Sequence, residues 1–502
     1  MSALIKLSGS KEDTSIRYYA SKYYLVFILI VFLVVILLAN FIRNEAKNGA
    51  LIEEESYFYA RISNNFTQLY GDGIDNMNYG GRNVSYGIGF PLVISTISKF
   101  TRFSITFLIK YLSIILGLLI LLALFLIMKK LHLEWRIIGL TLFFMAISPT
   151  FIYFSNFTSP VLFAILLSLL SYYLFISDSR KISMFSSIPL ALTMFFDFYI
   201  AIFSLLFLIL ITYIKRKNKI KILMLDIAIT LFVFMMYYIL FYNKIGLIDY
   251  FALKYYINSN LGNFSILFSD TGGIFGIGFF TIVLGFFGLG DLWKERYKNI
   301  PYYLALLFFL FTFFIYKYNI FYLNFFLAFI AAIGLLRLIK TRWESEIVRK
   351  SLIVVLLIGV IFSTVFYTAK FSEYGPGFRQ DFGAKFIADR STSFDIVLTD
   401  PKYSYILNYY GIKTFIDGNY LYVDSLKQKF NDYDEILNTP DFDRLIELIK
   451  NDEITYIVIT LDMAEKLGFG KNKNIIYHLR NTNKFKRVFA NNYLEIWKYE
   501  KI

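Results

Sequence analysis

LIEEESYFYAR, residues 51–61, places three consecutive carboxylates, Glu53, Glu54 and Glu55, a few residues beyond an apolar run at 23–42. A run of roughly 17 to 25 apolar residues is enough for a helix to cross a bilayer. The acidic block therefore stands where a first membrane span would emerge. From Glu54 onward the chain reads as a helix: Tyr59, Ile62, Phe66 and Leu69 share one stripe, and a step of four back from Tyr59 puts Glu55 at its head. Glu54, Phe58 and Arg61 share the neighbouring face, so that a carboxylate and a guanidinium look toward the same side. The plainer reading is that acidic residues suit the first turn of any helix through its dipole, or are simply solvated.

Further along, YGIGFPLVISTISKF (86–100) carries Pro91, suited to a helix's first position, and then an apolar stripe. Both helices are expected to lie along the membrane surface within one long loop, 43–104. Other runs long enough to span occur near 105–128, 137–154, 161–178, 222–242, 274–290, 300–316, 319–336 and 351–369. Residues 182–214 read as two short spans meeting at Asp197, which brings the expected count to eleven.

Composition agrees: 57% of the 502 residues are hydrophobic and 20% aromatic, far above what a soluble domain needs. There is no cysteine, and His132 and His478 are the only histidines, so thiolate nucleophiles, disulfides and the usual zinc clusters lack material. The net charge of +14 is confined to residues 1–369, because the tail from Lys370 holds 19 basic and 19 acidic residues. Such an excess in the apolar part reads as topology rather than as a nucleic-acid surface.

With a cytoplasmic N-terminus, the inner segments hold Lys6, Lys11, Arg17 and Lys22, the cluster KRKNKIK at 215–221, and Arg337, Lys340, Arg342, Arg349 and Lys350. The outer loops after the first hold only Lys244, Lys254 and Lys317, so the orientation follows from the positive-inside rule. The loop 43–104 and the tail then lie outside, as do the sequons at Asn65, Asn83, Asn156 and Asn263. The first run is expected to be retained as an anchor, since it has no small-residue cleavage site.

The tail changes character. FDIVLTD (394–400), IKTFID (412–417) and ITYIVIT (454–460) read as buried strands, PDFDRLIELIKNDE as a helix, and RVFANNYLEIWKYE as a hairpin around Asn491 and Asn492. The expected fold is thus a polytopic α-helical membrane protein, residues 1–369 including the loop, followed by an extracytoplasmic α/β domain, residues 370–502. No Gly-rich phosphate loop occurs in the tail, which reads as a lid or acceptor-docking module.

The loop 43–104 resembles the first exterior loop of the GT-C superfamily, the polyprenyl-phosphate-sugar-dependent membrane glycosyltransferases of the mannosyltransferase and arabinosyltransferase kind. The matching pieces are an acidic pair with aromatics, Glu54-Glu55-Ser56-Tyr57, and Gly89-Phe90-Pro91-Leu92. SPTFIYFSNFTSP (148–160), SDTGGIFGIG (269–278) and YKYNIFYLNFFLAFIAAIGL (316–335) are similar to that superfamily's later outer loops and to its basic residue ahead of a late span. Two departures stand out. Asn156 occupies a position that is acidic in many members, and the Trp-Trp-Asp motif of the oligosaccharyltransferase branch is missing, Trp135, Trp293, Trp343 and Trp497 all being isolated.

The resemblance implies transfer of a sugar from a polyprenyl-phosphate donor to an acceptor hydroxyl at the outer face of the cell membrane, the acceptor being a protein, a lipid or a glycan. Glu54 is the expected base and Glu55 its rival. Lys317, alone at the outer end of two apolar spans, is the expected partner of the lipid phosphate. Arg61, Lys254 and Asp197 are further substrate-binding candidates. No cofactor is required by the sequence, and a divalent cation, magnesium or manganese, is left open. Asp270, like Asp197, reads as a carboxylate that lines the cavity or, more plainly, as a helix cap before Gly272 and Gly273, and Asp72 and Asp75 read as turn residues with a metal role left open. The competing class is a polytopic transporter or flippase, although no repeated half is visible. A zinc-bound phosphotransferase would need more histidines, and eleven spans exceed what an anchor requires.

Overall fold

The computed structural model describes residues 14–84, 87–215, 219–245, 261–270, 273, 275–418, 426–468 and 474–500. The chain forms two compact units. One, the helical unit, is Met1–Glu45, Lys110–Tyr237 and Asn260–Tyr374; the other, the mixed unit, is Ala46–Ile109, Tyr238–Ser259 and Gly375–Ile502. The sequence assigns the loop 43–104 to the membrane part, whereas here it clusters with the tail.

In chain order the helices are α1 (Thr14–Lys47), then α2 (Glu54–Asn64), α3 (Phe66–Asp72) and α4 (Gly89–Thr101) in the loop, followed by α5 (Ile105–Lys130), α6 (Trp135–Ala146), α7 (Pro149–Asn156) and α8 (Pro160–Phe175). Next come α9 (Arg180–Met184), α10 (Ser187–Thr193), α11 (Phe198–Lys215), α12 (Ile220–Ile245), α13 (Phe279–Leu292), α14 (Arg296–Ile315), α15 (Ile320–Lys340) and α16 (Glu346–Glu373). The apolar runs of the sequence are therefore helical over most of their length. Among the described residues, four helical stretches are long and apolar enough to cross a membrane, and α6 with α7 makes a fifth if the pair, bent by 62°, is one span.

That bend falls inside the predicted span 137–154 and has a local cause. Pro149 has no N–H to donate, and the Ser148 hydroxyl caps α7 by accepting from Phe151 N at 3.2 Å. Helices α8, α11, α13 and α14 are shorter apolar elements.

Within the helical unit, α13 and α15 are packed backbone to backbone. A Cβ on Gly288 would fall 2.0 Å from the Ile330 carbonyl oxygen, and one on Gly334 would fall 2.1 Å from that of Leu284. Small residues at such a crossing are what lets two apolar helices associate where no hydrophobic force drives them together. Gly334→Leu is accordingly expected to abolish the monodisperse peak in size-exclusion chromatography of detergent extracts. Gly139→Leu, at a position with nothing within 4 Å of an added Cβ, is expected to keep it.

The mixed unit is built on a five-stranded sheet in the order β4-β3-β5-β7-β6, from β3 (Ile396–Leu398), β4 (Lys413–Thr414), β5 (Ile454–Thr460), β6 (Phe485–Ala490) and β7 (Leu494–Tyr499). The two small loop strands, β1 (Ile74–Asp75) and β2 (Arg82–Asn83), pair with each other. β3 is parallel to β4 and β5, and the β6–β7 hairpin is antiparallel. The Asn491 side chain closes that hairpin by accepting from Tyr493 N and Leu494 N at 2.8 and 3.0 Å. Helices α17 (Phe378–Ala388), α18 (Ser404–Tyr409) and α19 (Phe442–Asn451) belong to this unit, and Leu398, Leu445, Ile449, Ile457 and Trp497 are in its core.

The loop completes the sheet. Thr414 N donates to Met77 O at 3.0 Å and Tyr79 N to Thr414 O at 2.9 Å, so the segment through Asn78 runs parallel to the edge strand β4 and covers its open hydrogen-bonding groups. Helix α2 packs on α18 and α4, burying Phe58 and Ile62 with Leu69, Val84 and Tyr405. Its apolar face is therefore turned to the tail rather than laid on a bilayer, because the tail offers it an apolar partner. The surface-lying description fits α4 better, which leaves Leu92 and Phe100 exposed.

Candidate active site

The acidic turn is anchored by polar contacts that sequence spacing does not reveal. Asp75, flanked by glycine-rich turns, is fully buried and accepts both guanidinium nitrogens of Arg61, at 2.8 and 2.7 Å, and Arg82 Nη2 at 2.9 Å. Arg82 also bonds Asp417, whose other oxygen accepts from Asn408 Nδ2 at 3.1 Å. Two arginines and two aspartates thus alternate along one buried chain with no net charge. Burial by itself would raise the Asp75 carboxyl, but the hydrogen bonds and charges of Arg61 and Arg82 outweigh it and hold the group well below the usual carboxylate range. Arg61, expected to bind substrate, is spent on this fold contact. Asp75 is a central buried acceptor instead of a turn residue, while Asp72 is exposed at the end of α3.

A second anchor sets the start of α2. Asp381 Oδ1 accepts from the Tyr57 and Tyr410 hydroxyls at 3.2 and 2.7 Å, and Lys385 Nζ lies 3.1 Å from the other oxygen. Tyr57 Oη in turn accepts from Leu51 N at 3.3 Å.

Between these anchors lie the three glutamates. Glu53 is buried, Glu54 half-buried and Glu55 exposed, so Glu55 does not head the inward stripe. The stripe is broken because α2 ends at Asn64 and α3 restarts at Phe66; the buried face of α2 runs through Tyr57, Phe58, Arg61 and Ile62. Burial raises the Glu54 carboxyl above its ordinary 4.5, with Glu55 and Asp400 adding repulsion, while its own backbone N–H and the charge of Lys402 oppose the rise. Asp400 and Lys402, in the turn after β3, are neighbours that no sequence pattern singles out. A carboxylate kept basic by its surroundings is suited to take a proton from a hydroxyl.

The remaining candidates lie in the helical unit. Asp197 caps α11 by accepting from Ile200 N at 2.8 Å and also accepts from the Tyr316 hydroxyl. Tyr199 stacks on Tyr316 with ring centroids 4.9 Å apart, and Tyr318 stacks on Phe275 at 6.0 Å. Lys317 lies in that same turn with its ammonium 5.2 Å from the Tyr318 ring centroid. Lys317 is thus the chain neighbour of the tyrosine that bonds Asp197. Asp270 caps α13, accepting from Phe279 N, and takes a second bond from Ser363 Oγ at 2.7 Å; the helix it caps begins after Gly278, not before Gly272 as expected. Lys254 lies outside the described residues.

Asn156 is wholly buried; it donates to Ile152 O at 2.8 Å and accepts from Asn40 Nδ2 at 3.2 Å. Thr158 Oγ1, the sequon's hydroxyl, accepts from Ser113 N at 2.8 Å. The expected glycan acceptor is therefore a packing residue. In a glycosylating host, mass spectrometry is expected to find no glycan on Asn156, whereas Asn65 and Asn263 are exposed. Among the described residues no three His, Asp or Glu side chains group so as to hold a metal ion.

No family model matches the chain, and no curated protein matches it in sequence. Solved structures do. The oligosaccharyltransferase AglB of Archaeoglobus fulgidus, in complex with an inhibitory peptide and a dolichol-phosphate, superposes with a TM-score of 0.60 at 11% identity, over 86% of this chain and 69% of its own. ArnT of Cupriavidus metallidurans, bound to undecaprenyl phosphate, gives 0.53 at 14% identity over 93% and 97%. The arabinofuranosyltransferase AftD from Mycobacteria gives 0.55 at 11% identity over 95% and 40%. The chain shares the fold of all three.

Proposed function

We propose that the protein is a membrane glycosyltransferase that moves a sugar from a polyprenyl-phosphate donor to an acceptor hydroxyl at the outer face of the membrane. The observation that carries this reading is Glu54: a half-buried carboxylate of raised basicity, at the start of a helix fixed by two buried polar clusters, in a chain with this fold. In the proposed reaction Glu54 accepts the proton of the attacking hydroxyl as the bond between anomeric carbon and phosphate oxygen breaks, and Lys317 meets the charge that develops on the departing lipid phosphate. Glu55, exposed, is assigned to the rim, and Asp197 to holding Tyr316, the chain neighbour of Lys317. The eleven spans, the cytoplasmic N-terminus and the outward placement of loop and tail belong to the same proposal, supported by the distribution of lysine and arginine. The acceptor is assigned outside the oligosaccharyltransferase branch because of the missing Trp-Trp-Asp motif; the fold does not separate the branches, since AglB shares it.

The test is transfer from radiolabelled polyprenyl-phosphate sugars to endogenous acceptors in membranes containing the protein, with and without a chelator of divalent ions. Lys317→Ala is expected to lower transfer about 10- to 100-fold, the loss of one charge-assisted contact to phosphate. If the parent transfers nothing, while proteoliposomes carrying it move lipid-linked sugar across the bilayer, the flippase reading replaces this one.

A further inference from the structure

At the C-terminal ends of α13 and α15 an open groove of about 470 Å³ is walled by Val283, Phe286, Phe287 and Leu338, with Arg337 and Trp343 at its polar end. Nothing in the proposed chemistry uses it. Arg337 is not a loose surface residue. Its Nη1 donates to Phe287 O at 3.1 Å, its Nε lies 3.8 Å from Asp291, and its side chain is about one third exposed. Asp291 is shared with Lys294 at 3.0 Å. Gly290 makes the arrangement possible, because a Cβ there would stand 2.6 Å from Arg337 Nη1. A guanidinium has five N–H donors, and the bond to Phe287 takes one of them.

The charge around the groove favours an anion. Residues 291–298 and 337–343 together hold six Lys or Arg against two Asp or Glu. The apolar wall is open enough to take an acyl chain, with Phe286 68% exposed. Indole rings favour the depth of lipid headgroups, and basic pockets between membrane helices bind anionic ones. On the orientation that the basic residues imply, this end faces the inner leaflet, away from the reaction.

We propose that this groove binds one anionic glycerophospholipid, with its phosphate on the fork of Arg337, its headgroup beside Trp343 and an acyl chain along Phe286, Phe287 and Leu338. Planar N–H donors match phosphate in two-pronged fashion, which a lysine cannot reproduce.

The experiment is native mass spectrometry of the full chain in mild detergent, titrated with phosphatidylglycerol or with phosphatidylcholine of the same acyl chains. The parent is expected to retain one phosphatidylglycerol through activation that strips phosphatidylcholine. Arg337→Ala is expected to lower that retention about tenfold, toward the phosphatidylcholine level, as befits one charge-assisted hydrogen bond. Gly290→Leu, which keeps every charge but displaces the guanidinium, is expected to do the same. Phe286→Ala, at an exposed position, is expected to weaken both lipids alike, and Lys350→Ala to change neither. If Arg337→Ala does not fold, Arg337→Lys serves instead, with a several-fold loss of preference expected. Equal retention of the two lipids by the parent, an unchanged preference in Arg337→Lys, or a loss in Lys350→Ala as large as in Arg337→Ala would overturn the site.

Discussion

Glu54→Gln is expected to leave the protein folded and to reduce sugar transfer by about 10²- to 10⁴-fold, the range associated with a positioned general base. The fold should tolerate the change for a reason that can be measured. The Glu54 carboxyl is raised above 4.5 by burial. A carboxylate whose pKa is higher folded than unfolded loses stability as pH rises from the unfolded value through the folded one, because ionisation is opposed only in the folded state. At neutral pH the neutral amide escapes that cost, so thermal unfolding of the variant should occur at the parent's temperature or above. The parent's transfer rate should fall on its acid side at a pH above that of an ordinary glutamate. Normal transfer by a folded Glu54→Gln protein would remove Glu54 from the reaction, and an unfolded variant would contradict the electrostatic argument. Glu55→Gln, at an exposed side chain, should retain most activity.

Asp75→Asn should do the opposite, damaging the fold without touching the chemistry. The amide leaves the buried guanidinium of Arg61 without its carboxylate, while Arg82 keeps only Asp417. Breaking a buried pair in this way typically costs about 3–5 kcal/mol, because the remaining charge stays desolvated. The mixed unit should therefore unfold well below the parent's temperature, as read by tryptophan fluorescence, while exposed Asp389→Asn should not change it. The pH dependence has a definite sign. The Asp75 pKa is lower in the folded protein, so its contribution is complete above the unfolded value of about 3.9 and is lost as pH falls below it. Acid titration of the parent should lower thermal stability below about pH 4, and the Asp75→Asn protein should lack that step.

The helical plan was legible because membrane helices announce themselves locally: each apolar run is contiguous, and α1, α5, α15 and α16 lie over the runs that predicted them. The strands at 396–398, 413–414 and 454–460 and the amphipathic α19 were legible for the same reason, as short periodic segments bounded by turn residues. The start of α2 at Glu54 could likewise be read from the acidic turn ahead of the aromatic stripe. Its inward face was misread by one position, because the buried side of α2 is the one that meets Val84 and Tyr405, partners that periodicity does not contain.

Asp75 could not be recognised from its neighbours. Its ionic chain closes through Arg82, which joins Asp417 across 335 residues, and glycines around Asp75 gave a turn signal strong enough to hide it. Asn156 shows the same limit in reverse: a sequon is a three-residue pattern, and burial by Asn40 from a helix 116 residues earlier is invisible to it.

Hydrophobic runs are properties of single segments, so primary structure alone was enough to predict a many-helix membrane chain with three consecutive glutamates in its first long loop. Which glutamate is desolvated, which arginine is consumed by the fold, and whether the loop belongs with the membrane helices or with the tail depended on folding. Those outcomes depend on distant groups meeting away from water, where the worth of each charge is set by partners that no local pattern contains.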